Sequence, residues 1–312
     1  MSKEFYQNNW DEFVERDLLR LISIAADEDV SDVGDLTSLA LIPSSGVGEA
    51  FVVVREDSVV AGVRAIPLIL STVDSSLVWK AESSNEIYDG KFVRRGVRLG
   101  GIVGLVRGML RVERILLNLI GRLMGIATLT RNYVNAISGT SAKIYDTRKT
   151  TLGWRRLEKY AVRCGGGQNH RTGLFDAILI KDNHLAFGQE KTIYNPAEAV
   201  CKAKNYLLSR FGQDEAQSKI VEVEVDNLDQ LSQVLAVEPD IVLLDNMPPE
   251  VLCQAVAMRN KAGVKVELEA SGGVRLATVK AVAESGVERV SVGALTHSAT
   301  SIDIGLDWGM RN

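Results

Sequence analysis

The chain has 312 residues, 46% of them hydrophobic and 24% charged, with a formal net charge of −4. That balance excludes a disordered chain, a collagen and a coiled-coil rod, and a length of about two ~150-residue domains predicts two domains or one large barrel. Overall acidity argues against a chain-wide polyanion binder. Three widely spaced cysteines (Cys164, Cys201, Cys253) with no CxxC pair argue against a disulfide scaffold, a thioredoxin-type site and a zinc ribbon.

The N-terminus MSKEFYQNNWDEF lacks the apolar core of a signal peptide, and Arg107 and Arg122 interrupt the longest apolar stretches before the ~20 residues of a membrane span are reached. A reducing cytoplasm is the compartment expected. Apolar residues at helical spacing predict a helix over 10–26. Strand-like pieces follow at 49–56 and 75–83, with a helix started near Pro67 between them. The glycine-rich run 97–108 reads as strands with a bend, and 111–138 as one long helical stretch. Together they describe a small α+β domain over about residues 1–110. Between Lys91 and Arg131 lie nine basic residues and one acid, Glu113, a net +8. A basic zone in an acidic protein suggests a local anionic ligand, whereas for any single arginine a solvated helix face is the simpler reading. Only Phe92 is aromatic there, so no nucleic-acid platform is expected.

The second half is rhythmic. Six β-branched runs begin near Ser141, Asp176, Lys219, Asp240, Val264 and Arg289, separated by helical patterns at 196–211, 228–237, 248–263 and 274–286. Continuous apolar runs alternating with helices predict buried parallel strands in βα units. Nearly every run ends in a polar group: Asp146 and Arg148, Lys181 and Asp182, Glu224 and Asp226, Asp245 and Asn246, Ser271, His297. A doubly wound sheet gathers its chemistry at one switch point, whereas a β/α barrel spreads it over many strand ends. The spread favours a barrel, and six strands make it an incomplete one.

The strand ends also carry the candidate chemistry. Arg148 and Lys149, with hydroxyls on both sides, suit a carboxylate or phosphate. The loop CGGGQNHRTG (164–173) is dense in Gly, Asn, His170 and Arg171, as functional loops are. Lys181 can serve as a Schiff-base amine or as a fixed cation. Glu222 and Glu224 share a strand face, and Glu224 with Asp245 suits either Mg²⁺ or an oxocarbenium-like sugar cation. Ser271, Gly272, Gly273, Gly293 and Ala294 follow the last strands, where barrels cradle phosphate. A zinc site is not expected, since His170, His184 and His297 show no HxH or HxxxH grouping. A phosphosugar plus a small carboxylated partner fits this set.

These residues lie in strings that resemble the quinolinate phosphoribosyltransferase family, the carboxylating nicotinate-nucleotide pyrophosphorylases. The strings are GDLTS at Gly34, ERILLN at Glu113, GIATLT at Gly125, DTRKTT at Asp146, LEKYAVRCGGGQNHRTGLFDAILIKDNH from Leu157, VEVEVDN at Val221, LLDNM at Leu243, EASGG at Glu269 and VGALTHS at Val292. The resemblance implies an α/β protein: an N-terminal α+β open-faced sandwich domain (1–112), an incomplete TIM-like β/α barrel (113–297) and a C-terminal tail (298–312) for which a return to the N-terminal domain is one open course. It implies transfer of the phosphoribosyl group of phosphoribosyl pyrophosphate to quinolinate with decarboxylation, in de novo NAD synthesis, using Mg²⁺. It implies that Thr147, Arg148, His170, Arg171 and Lys181 meet quinolinate, with Arg114 donated by the second subunit of a homodimer. A higher oligomer stays open. Lys149, Glu224, Asp245, Ser271, Gly272, Gly273, Val292, Gly293, Ala294 and His297 match the phosphoribosyl pyrophosphate side. Of these, Glu224 and Asp245 are the metal residues, directly or through water, and Lys149, Lys181, Glu224 and Asp245 are the catalytic set. Two features depart from the family's pattern: Leu152-Gly153-Trp154, where Pro-Gly and a smaller apolar residue are usual, and a long segment over 187–218. Three alternatives are a same-fold paralogue with another ligand, a Schiff-base aldolase acting through Lys181, and a phosphate-binding scaffold.

Overall fold

A strand such as Ile241–Asp245, apolar on both faces, is stable only where both faces are covered. The structure, a computed structural model describing residues 3–82, 86–188 and 194–309, covers such strands with helices. The chain forms two compact units, and each is threaded more than once. The first contains the residues up to Gln7, Asn132–Arg148 and Gly167–Ala294, and the second Asn8–Arg131, Lys149–Gly166 and the residues from Leu295 onward.

In the first unit a parallel sheet of six strands runs in the order Lys143–Tyr145, Arg289–Ser291, Glu267–Ser271, Ile241–Asp245, Val221–Val225, Ile178–Ile180. Helices Pro196–Ser218, Leu228–Leu235, Pro249–Ala262 and Val279–Glu284 lie between consecutive strands from Ile178–Ile180 onward. This is the incomplete β/α barrel expected: among the described residues the two outermost strands do not pair with each other, and a bridge from Tyr145 to Gln168 extends the Lys143–Tyr145 edge. Local chemistry marks the helix ends. The side chains of Asn195 and Asn227 accept from Ala197 N and Gln230 N at two helix starts, as N-caps do. Pro248 precedes Pro249–Ala262, and Gly263 ends that helix in the left-handed conformation. The long segment over 187–218 becomes a helix kinked at Gly212 (φ 75°), with 189–193 outside the described residues.

The second unit carries an antiparallel sheet in the order Ile304–Trp308, Val47–Val54, Arg98–Leu105, Val78–Ala81. Helices Glu12–Asp29 and Ile66–Val73 pack together. The chain's last strand thus pairs with Val47–Val54. The run 97–108 is one strand, Arg98–Leu105, whose register against Val47–Val54 shifts at Leu99, with helix Val106–Ala136 starting at the next residue. Its glycines also serve close packing, since a Cβ on Gly100 would meet the Trp79 ring at 2.3 Å. The +8 zone likewise dissolves into separate contacts. Arg94 pairs with Asp57, Arg111 with Asp74 and Arg122 with Glu158. Arg98 covers the Phe51 ring, and Arg107 and Arg131 donate to the carbonyls of Ile42 and Gly165.

Candidate active site

The sheet order places neighbouring strand ends side by side. Passing along it, the C-terminal ends present Thr147 and Arg148, then Val292–Ala294, Ser271–Gly273, Asp245, Glu224 and Lys181. All belong to the first unit.

On the carboxylate side, buried Asp146 is a scaffold. Its Oδ1 accepts from His170 N at 2.9 Å and its Oδ2 from Asn169 Nδ2 at 2.7 Å, so the loop after the glycine triplet is tied to the first strand's end. Arg171, only 6% exposed, follows with Nη1 donating to Ala177 O at 3.3 Å. Burial, and then the charge of Arg148, lower the Arg171 pKa. The charges of Glu222 and Asp176 oppose that shift, so the two guanidiniums share the site with acids and still suit an anion. Arg148 adds a buried Nε that has no hydrogen-bond partner among the described residues. A dicarboxylate would satisfy both. The glycine triplet itself has another role, in the second unit: a Cβ on Gly165 would lie 2.5 Å from Ala127 O and from Thr130 Cβ, so this glycine lets the backbone pass the long helix.

On the opposite edge Lys181 forms an ion pair with Glu224. Burial raises the Glu224 pKa, and the Lys181 hydrogen bond works against that rise. An ion-paired amine is poorly suited to Schiff-base chemistry, which needs a neutral lone pair. Lys181 N donates to His184 Nδ1 at 2.9 Å, so His184 supports helix Asp182–Phe187. Asp245 ends the adjacent strand, close enough to raise the Glu224 pKa. Glu224 and Asp245 are all-oxygen donors on neighbouring strands, a set that fits a hard cation such as Mg²⁺. Gly272 (φ +91°) is required by contact as well as by backbone, since a Cβ there would lie 2.2 Å from Asn246 Oδ1. Not every expected phosphate donor is available: Val292 N donates to Tyr145 O at 2.9 Å and is committed to the sheet.

Beneath these groups lies a cluster the sequence left largely hidden. His170 Nε2 is 3.1 Å from Glu222 and 3.5 Å from Glu269, both fully buried. Burial raises Glu222 to about 8 and Glu269 to about 7. The three residues are spaced as metal ligands would be. The histidine tautomer argues against a cation there. His170 Nδ1 accepts from Arg171 N at 2.8 Å, so the neutral ring carries its proton on Nε2, the atom that faces the glutamates. A metal on that atom would require an imidazolate. The alternation of Glu222 and Glu224 pointed to Glu222; Glu269 showed only as an acid inside an apolar strand.

Three expected site residues belong to the second unit. Arg114 is exposed on helix Val106–Ala136 and makes no hydrogen bond or ion pair among the described residues. Lys149 O accepts from Thr296 Oγ1 at 2.7 Å, and exposed His297 lies 2.7 Å from Ser298 Oγ through Nδ1. The turn at Leu152-Gly153-Trp154 leaves Leu152 89% exposed before helix Arg155–Cys164.

An incomplete parallel barrel with neighbouring arginines, a Lys–Glu pair and an aspartate around its strand ends defines an anion-handling barrel. The C-terminal-domain profile of quinolinate phosphoribosyl transferase matches residues 126–307 and the N-terminal-domain profile residues 35–124. The chain therefore belongs to the quinolinate phosphoribosyltransferase family. It is 41% identical over 286 residues to a carboxylating nicotinate-nucleotide pyrophosphorylase of Mycobacterium leprae, covering 91% of this chain and 94% of that one. A probable enzyme of the same name from Bacillus subtilis is 38% identical, over 91% of each chain. The solved structure of the Francisella tularensis nicotinate-nucleotide pyrophosphorylase superposes with a TM-score of 0.84 at 36% identity, covering 98% of this chain and all of the other.

Proposed function

We propose that the chain transfers the phosphoribosyl group of phosphoribosyl pyrophosphate to quinolinate and releases carbon dioxide, giving nicotinate mononucleotide and pyrophosphate for NAD synthesis. The observation that carries this reading is buried Arg171 beside Arg148, whose buried Nε has no hydrogen-bond partner among the described residues. Two neighbouring guanidiniums suit a dicarboxylate. Arg148 and Arg171 hold the two carboxylates, with Thr147 and His170 at their side, while Lys181 supplies the cation at the far edge.

Lys149, Ser271, Gly272, Gly273, Gly293, Ala294 and His297 serve the phosphoribosyl side. Mg²⁺ at Glu224 and Asp245, directly or through water, supplies charge for the departing pyrophosphate when bound. As the C1′–pyrophosphate bond breaks, the pyridine nitrogen attacks C1′. The ring nitrogen becomes cationic and stabilises the carbanion left at C2 when carbon dioxide departs, and C2 then takes a proton. The Lys181–Glu224 ion pair fixes the two groups against each other at the strand ends, and no covalent nucleophile is needed. Exposed, unpartnered Arg114 supports a homodimer in which it reaches the neighbouring subunit's site. No helix among the described residues is long and apolar enough to cross a membrane. The cytoplasm remains the compartment proposed from the sequence.

The test mixes purified protein with quinolinate, phosphoribosyl pyrophosphate and Mg²⁺ and follows nicotinate mononucleotide. Formation with nicotinate in place of quinolinate, and none with quinolinate, would overturn the reading.

A further inference from the structure

The N-terminal residues up to Gln7 belong to the barrel unit, although the helices and strands that follow them do not. Phe5 is 4% exposed, and its ring stacks on His170 with centroids 4.2 Å apart. Phe5 also belongs to one buried apolar cluster with Ala177, Ile220 and Ile241. It thus joins groups from both edges of the open sheet: His170 follows the Gln168 bridge on one, and Ala177 leads into strand Ile178–Ile180 on the other. Gln7 adds a polar clamp. Its Oε1 accepts from Asn169 N at 2.9 Å, and its Nε2 donates to Asn169 O at 3.1 Å and Phe5 O at 2.9 Å.

Arg171 rests on what this segment holds. Its amide donates to the ring that Phe5 stacks on, and its guanidinium donates to the carbonyl of Ala177, which shares a cluster with Phe5. We infer that Phe5 and Gln7 are positioning residues for the carboxylate-binding arginine, so that the N-terminal segment closes the barrel's open edge and sets affinity for the dicarboxylate. The inference rests on the quinolinate reading above, because it assigns Arg171 to that substrate.

A buried aromatic replaced by alanine can loosen the unit generally, so the test compares substrates. Steady-state kinetics with varied quinolinate and varied phosphoribosyl pyrophosphate should show Phe5→Ala and Gln7→Ala each raising the quinolinate KM about tenfold or more, a shift of the size expected when a binding group is displaced by about an ångström. The phosphoribosyl pyrophosphate KM should stay within about twofold, and Phe5→Leu, which restores apolar volume, should recover most of the loss. Gln7, half-exposed, gives the same reading should Phe5→Ala fail to fold. Unchanged quinolinate KM in a folded variant, or equal rises for both substrates tracking the fall in melting temperature, overturns the positioning role while the function stands. A wild-type protein that neither binds nor turns over quinolinate overturns both, and the wild-type control alone shows which has failed.

Discussion

Arg171 and Glu269 show how burial turns ordinary residues into exacting ones. Arg171 sits among groups that cannot re-solvate it, so its substrate's carboxylate would be desolvated with it. Removing one partner of such a buried charge pair costs about 2 kcal/mol or more, roughly thirtyfold in affinity. Calorimetry on Arg171→Ala should therefore show a large loss for quinolinate and little change for phosphoribosyl pyrophosphate; equal losses would move Arg171 out of the carboxylate site. Asp245→Asn should behave oppositely, keeping quinolinate binding but losing about 10²-fold in turnover, the scale of one transition-state electrostatic partner. Retained turnover across a Mg²⁺ titration would remove Asp245 from the site. Glu269 bears on stability. Its pKa is raised from 4.5 to about 7, so the folded form keeps a proton that the unfolded chain has released. Stability at this group is complete below the unfolded value and is lost as pH rises through about 7. Between about pH 5 and about pH 8 the wild-type melting temperature should fall more steeply than that of Glu269→Gln; parallel curves would show that this carboxyl does not titrate in that window.

At the level of elements, the six barrel strands are legible because their apolar runs and polar termini carry two messages at once: burial along the strand and chemistry at its end. Boundaries governed by contact are less legible. The strand Arg98–Leu105 and helix Val106–Ala136 abut with no turn residue between them, and nothing in VRLGGIVGLVRG announces that Gly100 also accommodates Trp79. Helix Arg155–Cys164 is similarly hidden, its residues lying within a motif string. The long helix also contains Gly125, where a Cβ would lie 1.9 Å from Thr300 O. Gly125→Ala would raise helix propensity, yet overpacking should win, with a loss of roughly 1–3 kcal/mol. A higher melting temperature for that variant would contradict the close approach of helix and carbonyl.

For the molecule as a whole, the open question is what Arg114 meets. An exposed, unpartnered arginine in a helix is ordinarily a solvated side chain, and only the family resemblance and its lack of a partner point to a second subunit. If two chains share each site, Arg114→Ala and Arg171→Ala proteins should each be nearly inactive. Refolded together, they should regain about a quarter of wild-type activity, because random twofold pairing makes about half the dimers mixed, each with one intact site. No recovery, despite heterodimers seen by mass spectrometry, would keep Arg114 within its own subunit or outside any site.

By itself, the sequence determined the fold class, the family and the strand-end residues, since local periodicity and unbroken motifs such as DTRKTT and NHRTG survive in one dimension. It also marks Arg148, Lys181, Glu224 and Asp245 as strand-end chemistry and Arg171 as part of a functional loop. Tertiary structure alone decided which polar groups face one another. Asp146 proved to be a loop anchor, Val292's amide a sheet donor, and His170 a ring held between Phe5, Arg171 and two glutamates. The physical reason is sequence distance. Phe5, His170, Glu222 and Glu269 come from four separated stretches, and their ionisation and orientation depend on burial that only the closed-up unit creates.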